Sequence, residues 1–262
     1  MVQPHTLGDL YAEIRRTERP DQVANVLADT GPERLRGLTA QTFEKATPEE
    51  RQWMLGRTVS KTTHVVWFLG PPTDANVPLI RYHDYGLHRS DVDYDAAVPC
   101  SVEAHRNPAF TTVENWHHHR YKWFVSMTLT GKGYAEDLVR APEDIQLTSG
   151  PVGAGPPDWD GPSIPYWQPS AVELNNPETR EYKFGDIAIM GLYDYHRLRD
   201  MCGTGTFFVQ GPVALEASTV LEDDGSVIWQ PSDFGPTRFN SLIRKLENAP
   251  RPNIVQVADG LL

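Results

Sequence analysis

From about residue 62 the chain is a succession of short runs rich in β-branched and aromatic residues, cut by Gly, Pro and Asp: TTHVVWFLG, VPLIRYH, AFTTVENW, YKWFVSMTLTG, DIAIMGLY, GTFFVQG, VALEASTV and GSVIWQ. Such runs read as strands. No helix-length amphipathic segment separates most of them, so βαβ units and a parallel sheet are not expected. An antiparallel sandwich or barrel is. The fold class is therefore all-β dominated.

Helices are expected at the two ends. Leu7, Leu10 and Ile14 form one apolar stripe at helical spacing. In ATPEERQWMLGR, Thr47, Pro48 and Glu50 make a capping-box start with Gly56 as a stop. One more short helix fits DTGPERLRGLTAQTFEKA, between these two. Near the end, Phe239, Leu242, Ile243 and Leu246 restore helical spacing. The expected organisation is a helical extension over 1–61, a β domain over 62–235, and a short C-terminal helix and tail over 236–262. Residues 141–181 are crowded with Pro and Gly and read as one long loop. Trp159, Tyr166 and Trp167 give it the material of a lid.

Within the strand-rich region, VENWHHHRYKWF places three histidines in a row. Alternation along a strand puts His117 and His119 on one face and His118 on the other. Two imidazoles at i and i+2 can chelate a transition metal, though an exposed or hydrogen-bonded pair has the same pattern. His118 is expected to pack or to support its neighbours. In FGDIAIMGLYDYHRLRD, an apolar strand and a turn lead to His196.

Together these segments resemble the cupin family, whose first motif is G-x5-HxH-x3,4-E-x6-G and second is G-x5-P-x-G-x2-H-x3-N. His117, His119 and Gly131 fit the first; Gly185, His196 and Asp200 fit the second. Gly191 stands in place of the motif proline and Tyr193 in place of the inner glycine. Thr111 replaces the leading glycine of the first motif. The usual glutamate falls on Phe124 or Trp123, so a carboxylate ligand is missing unless Glu136 or Asp137 reaches in. The resemblance spans residues 105–210. It implies a cupin-type antiparallel jelly-roll β-barrel holding one divalent ion on His117, His119 and His196. Without the glutamate, the set is similar to the three-histidine Fe(II) cupin dioxygenases. Fe(II) is the expected ion, with Zn, Ni and Mn as alternatives.

The function this implies is a mononuclear metal-dependent oxygenase taking a small, anionic organic substrate and O2. A metal-assisted lyase, isomerase or cyclase with a tyrosine as acid or base is the alternative. A non-enzymatic small-molecule-binding cupin is the third. Tyr193 and Tyr195 are the candidate catalytic residues, beside His196. Lys122, Trp123 and Arg106 are the candidate substrate-binding residues. Arg197 and Arg199 share the strand face opposite His196.

The formal net charge of −11 argues against nucleic acid and anionic membranes as partners. No apolar run is long enough to span a bilayer, and the first twenty residues lack a secretory pattern. Cys100 and Cys202 fit no CxxC spacing and read as free thiols. A cytoplasmic protein is expected, with a homodimer as the family's usual assembly. GxGxxG, GxxxxGK[ST], HExxH and GxSxG motifs are absent, so nucleotide binding and serine hydrolysis have no motif support.

Overall fold

The computed structural model describes residues 4–50, 54, 59–60, 65–70, 78–85, 87–89, 97–99, 114, 116–119, 121–140, 147–149, 165–167, 174, 176–201, 203–214, 218–221 and 227–229. Three helices come first: α1 (Leu7–Ile14), α2 (Pro20–Thr30) and α3 (Pro32–Lys45). Strands β1 (Val59–Ser60), β2 (Val65–Phe68), β3 (Leu79–Asp84), β4 (Leu87–Arg89), β5 (Ala97–Pro99), β6 (Trp116–His118), β7 (Trp123–Thr130) and β8 (Tyr134–Arg140) follow. The remainder are β9 (Leu147–Ser149), β10 (Pro165–Trp167), β11 (Glu178–Tyr182), β12 (Ile187–Gly191), β13 (Asp194–Arg199), β14 (Gly205–Gln210), β15 (Thr219–Leu221) and β16 (Val227–Trp229).

The helices start on local signals. Thr6 caps α1, its side chain accepting from the Asp9 N–H while Asp9 accepts from the Thr6 N–H. Thr47 and Glu50 make the same reciprocal pair at 3.2 and 2.8 Å, as their spacing predicts. Helix α2 falls within the helical extension expected over 1–61. Its own signals are Pro20 in the first turn and an apolar stripe of Val23, Val26 and Leu27.

Two six-stranded antiparallel sheets form a β-sandwich. One has the order β1-β2-β3-β14-β7-β12, the other β11-β8-β13-β6-β15-β16. The pairs β4-β5 and β9-β10 stand apart from both, so the 141–181 stretch contains a strand pair and the start of β11. Tyr166 and Trp167 stand in β10, and Trp159 lies outside the described residues. The C-terminal helix over 236–262 and both cysteines also lie there. Among the described residues, no helix is long and apolar enough to cross a membrane.

Strand β7 shows how the layers stack, since it is buried on both faces. Trp123, Val125, Met127 and Leu129 join the core that the helices make through Leu10, Ile14, Val23, Leu27, Leu35 and Phe43. The alternate residue Phe124 packs with Met190 and Phe208 of its own sheet and Leu138 of the other. The helices thus close one face of the first sheet, and its opposite face looks into the sandwich.

Outside the second sheet, Asp137 accepts hydrogen bonds from Arg197 (3.0 Å), Arg199 (2.9 Å) and Thr179 (2.8 Å). Both arginines point away from His196, as alternation requires. Burial alone would raise the Asp137 carboxyl, but the bonds from Arg199, Thr179 and Arg197 outweigh it and hold the group down at about 2. A depressed acid stabilises the fold above its unfolded value of 3.8 and loses that contribution as pH falls toward 2. The two arginines are partly exposed, which weakens the network through solvent screening. Acid titration of the unfolding free energy is expected to fall by about 1–2 kcal/mol across this window. Asp137→Asn should remove that part of the slope.

Candidate metal centre

His117 and His196 are direct cross-strand partners in the β6-β13 pairing. The ladder therefore sets their separation, and both side chains enter the space between the sheets. The two rings are 4.5 Å apart between centroids, and His119 lies 5.1 Å from His117 and 5.2 Å from His196. One ligand nitrogen from each of the three lies within 4.8 Å of the others. The Nε2 atoms of His119 and His196 are 3.1 Å apart. Nitrogens bound at right angles on one ion, each about 2.1 Å from it, would stand about 3 Å apart.

The donor chemistry agrees with the distances. Glu136 on β8 places Oε1 2.7 Å from His196 Nδ1. That contact holds a proton on Nδ1 and leaves the Nε2 lone pair facing the other imidazoles. Glu136 is 1% exposed and His196 is 3% exposed, so water competes little for either. A buried carboxylate–histidine pair with two further imidazoles at this spacing fits a divalent transition ion.

Phe124 stands at the position where the first cupin motif has its glutamate. Its ring lies 4.7 Å from His119 and 5.7 Å from His196. An apolar wall thus stands at that position, and Glu136 is the acid that meets the imidazoles. It comes from the next strand and acts behind His196.

The imidazoles form one wall of a small, open-mouthed cavity. Across from them stand Phe124, Ser126, Thr206, Phe208 and His83 of the first sheet. Tyr85, Tyr134, Glu114, Glu136 and Leu198 also line it. Burial, reinforced by the charges of Glu114 and Glu136, pushes the Tyr85 and Tyr134 hydroxyls well above the usual phenol range. Both therefore stay protonated and can donate hydrogen bonds.

The other candidates lie elsewhere. His118 is fully buried on the opposite face, its ring 5.0 Å from that of Tyr195. Burial lowers its pKa to about 4, so it is neutral and packed. Tyr195 shares that face with Trp116 and Leu221, and Tyr193 packs against the same cluster. Neither tyrosine lines the cavity. Strand parity is the reason for Tyr195, the immediate neighbour of an inward histidine. Lys122 is exposed. Trp123 faces the helical core, opposite to Phe124. Arg106 lies outside the described residues.

Tyr85, Tyr134 and Glu114 carry no motif signal and are found only through the fold, whereas His83, which has no ligand-like spacing and reads as structural in the sequence, lines the cavity. Glu136 had one cue, as an acid that could reach in where the motif glutamate is missing.

No protein-family model matches the chain, and no curated protein matches its sequence. Solved structures match distantly. The hydroxypropylphosphonic acid epoxidase from S. wedmorenis is 9% identical over 58% of this chain and 53% of its own, with a TM-score of 0.29. The chain thus spans about half the length of that epoxidase. The hydroquinone 1,2-dioxygenase PnpCD is 11% identical over 62% and 72%, with a TM-score of 0.28. Drosophila melanogaster CENP-C, solved bound to CAL1, is 8% identical over 64% and 98%, with a TM-score of 0.31. Similarity this low leaves reaction and ligand to be argued from the residues of this chain.

Proposed function

We propose that the chain is a cupin whose sandwich closes as a jelly roll, and that it is a mononuclear metal-dependent oxygenase of small organic molecules. The strand orders β3-β14-β7-β12 and β6-β13-β8-β11 support the fold reading, because the chain changes sheet at each step from β6 to β8 and from β11 to β14. The observation that carries the functional reading is the convergence of His117, His119 and His196, with Glu136 behind one of them. These three imidazoles would hold the ion, Fe(II) first among the candidates. When bound, such an ion supplies open coordination positions for a substrate and for O2. The chain's own residues do the rest. Glu136 fixes the tautomer of His196. Phe124 and Phe208 keep the wall opposite the imidazoles dry. The Tyr85 and Tyr134 hydroxyls stay protonated as hydrogen-bond donors at the cavity's polar end.

Those two hydroxyls favour a second reading, in which a Lewis-acidic ion polarises a carbonyl and a tyrosine supplies the proton, as in a lyase or isomerase. Protein purified without added metal is expected to carry close to one iron per chain and to consume O2 with a thiol, diketone or diphenol. Iron-loaded protein that leaves O2 untouched across that panel would sink the oxygenase reading. Turnover that survives strict anaerobiosis or zinc substitution would select the second.

A further inference from the structure

Glu136 has two carboxylate oxygens, and the cluster uses one. Oε1 bonds to His196 Nδ1, whereas Oε2 is fully buried and has no hydrogen-bond partner within 3.5 Å among the described residues. The side chain lines the cavity. A buried carboxylate oxygen without a donor is unfavourable. A ligand that seats beside the imidazoles can meet that need by bringing a donor. Glu114 lines the same cavity, and among the described lining residues there is no lysine or arginine. The polar end of the cavity is therefore acidic and rich in tyrosine hydroxyls. A second anionic group on a ligand would meet repulsion there.

We infer that the substrate carries, one or two bonds from the atom that meets the imidazole cluster, an ammonium or hydroxyl group that donates to Glu136 Oε2. This rests on the metal-centre reading and narrows it to a substrate class. The group nearest the ion can still be anionic, but its companion is a donor and not a carboxylate. Glu136 thus acts as a positioning residue toward His196 and as a direct binding residue toward the substrate.

The test uses full-length protein saturated with Co(II), whose thiolate charge-transfer band reports an anchored sulfur. Four probes share that anchor: 2-aminoethanethiol, 2-mercaptoethanol, 3-mercaptopropionate and 1-propanethiol. Affinities are referred to the thiolate concentration, so that differences in thiol acidity drop out. The two donor-bearing thiols are expected to bind at least roughly tenfold more tightly than 3-mercaptopropionate, the scale of one charge-assisted hydrogen bond. Glu136→Gln keeps an oxygen for His196 and can turn an amide N–H toward the cavity, so the ammonium's advantage should fall below about threefold. Equal or tighter binding of 3-mercaptopropionate to the unaltered protein overturns the inference, as does an unchanged ratio in Glu136→Gln. Should that variant fail to fold, judged by circular dichroism, the ratio in the unaltered protein decides alone. A missing cobalt band would sink the metal-centre reading instead. Ligand-observed NMR on the metal-free protein would then read the same ratio and judge the donor site separately.

Discussion

His196→Ala should abolish tight metal binding, weakening it by more than the roughly 10–100-fold that loss of a supporting partner costs. His196 has three relations at once. It pairs with His117 across the ladder, its Nε2 lies 3.1 Å from that of His119, and its Nδ1 holds Glu136. Removing the imidazole takes away one of three ligand nitrogens and also leaves a buried carboxylate without its donor. The metal-free variant is therefore expected to lose about 1–3 kcal/mol of stability as well. Competition against a chromophoric chelator measures the affinity, and denaturant unfolding of the metal-free forms measures the stability. His118→Ala is the control, because that side chain sits on the other face beside Tyr195. It should lower stability and leave metal affinity within a few-fold. An affinity for His196→Ala within threefold of the parent would refute the three-histidine centre.

Gly131→Ala should destabilise the fold by about 2–5 kcal/mol, combining left-handed strain with overpacking. Gly131 has φ +80° in the β7-β8 turn, and a Cβ there would lie 2.1 Å from the Gly203 carbonyl oxygen. Backbone stands on both sides of that contact, so no rotamer change relieves it. Gly185 offers a matched comparison. It has φ +85°, but an added Cβ would meet only the Pro32 side chain at 3.4 Å. Gly185→Ala should cost about 1–2 kcal/mol, the conformational part alone. Equilibrium unfolding in urea distinguishes them, and equal losses would mean that the turn can shift away from Gly203.

These two glycines show what the sequence could reveal. Both belong to the spacing pattern, and each has a backbone reason to be glycine. Asp200 ends the second motif at φ +57°, a conformation that Asn and Asp tolerate better than most residues. The parity of the histidine run was likewise readable, because alternation is a local property. Strand β8 was harder. YAEDLVR carries two adjacent acids, which strands disfavour, and their reasons for being there lie some sixty residues away. Glu136 meets His196 on one face and Asp137 meets Arg197 and Arg199 on the other. The tyrosines show the converse case. Tyr193 and Tyr195 adjoin His196 in the chain, but the pleat sends Tyr195 outward, whereas Tyr85 reaches the cavity from the turn after β3 and Tyr134 from β8.

The direct pairing of His117 with His196 has an evolutionary corollary. Their mutual placement is dictated by hydrogen bonding between neighbouring strands, so the intervening segment can lengthen, shorten or diverge without disturbing the centre, provided β6 and β13 keep their alignment. A slip of one residue in that alignment would instead turn the imidazole to the outer surface and Tyr195 inward. Descendants of such a chain can explore new ligands through their loops, while the pleat preserves the chemistry beneath.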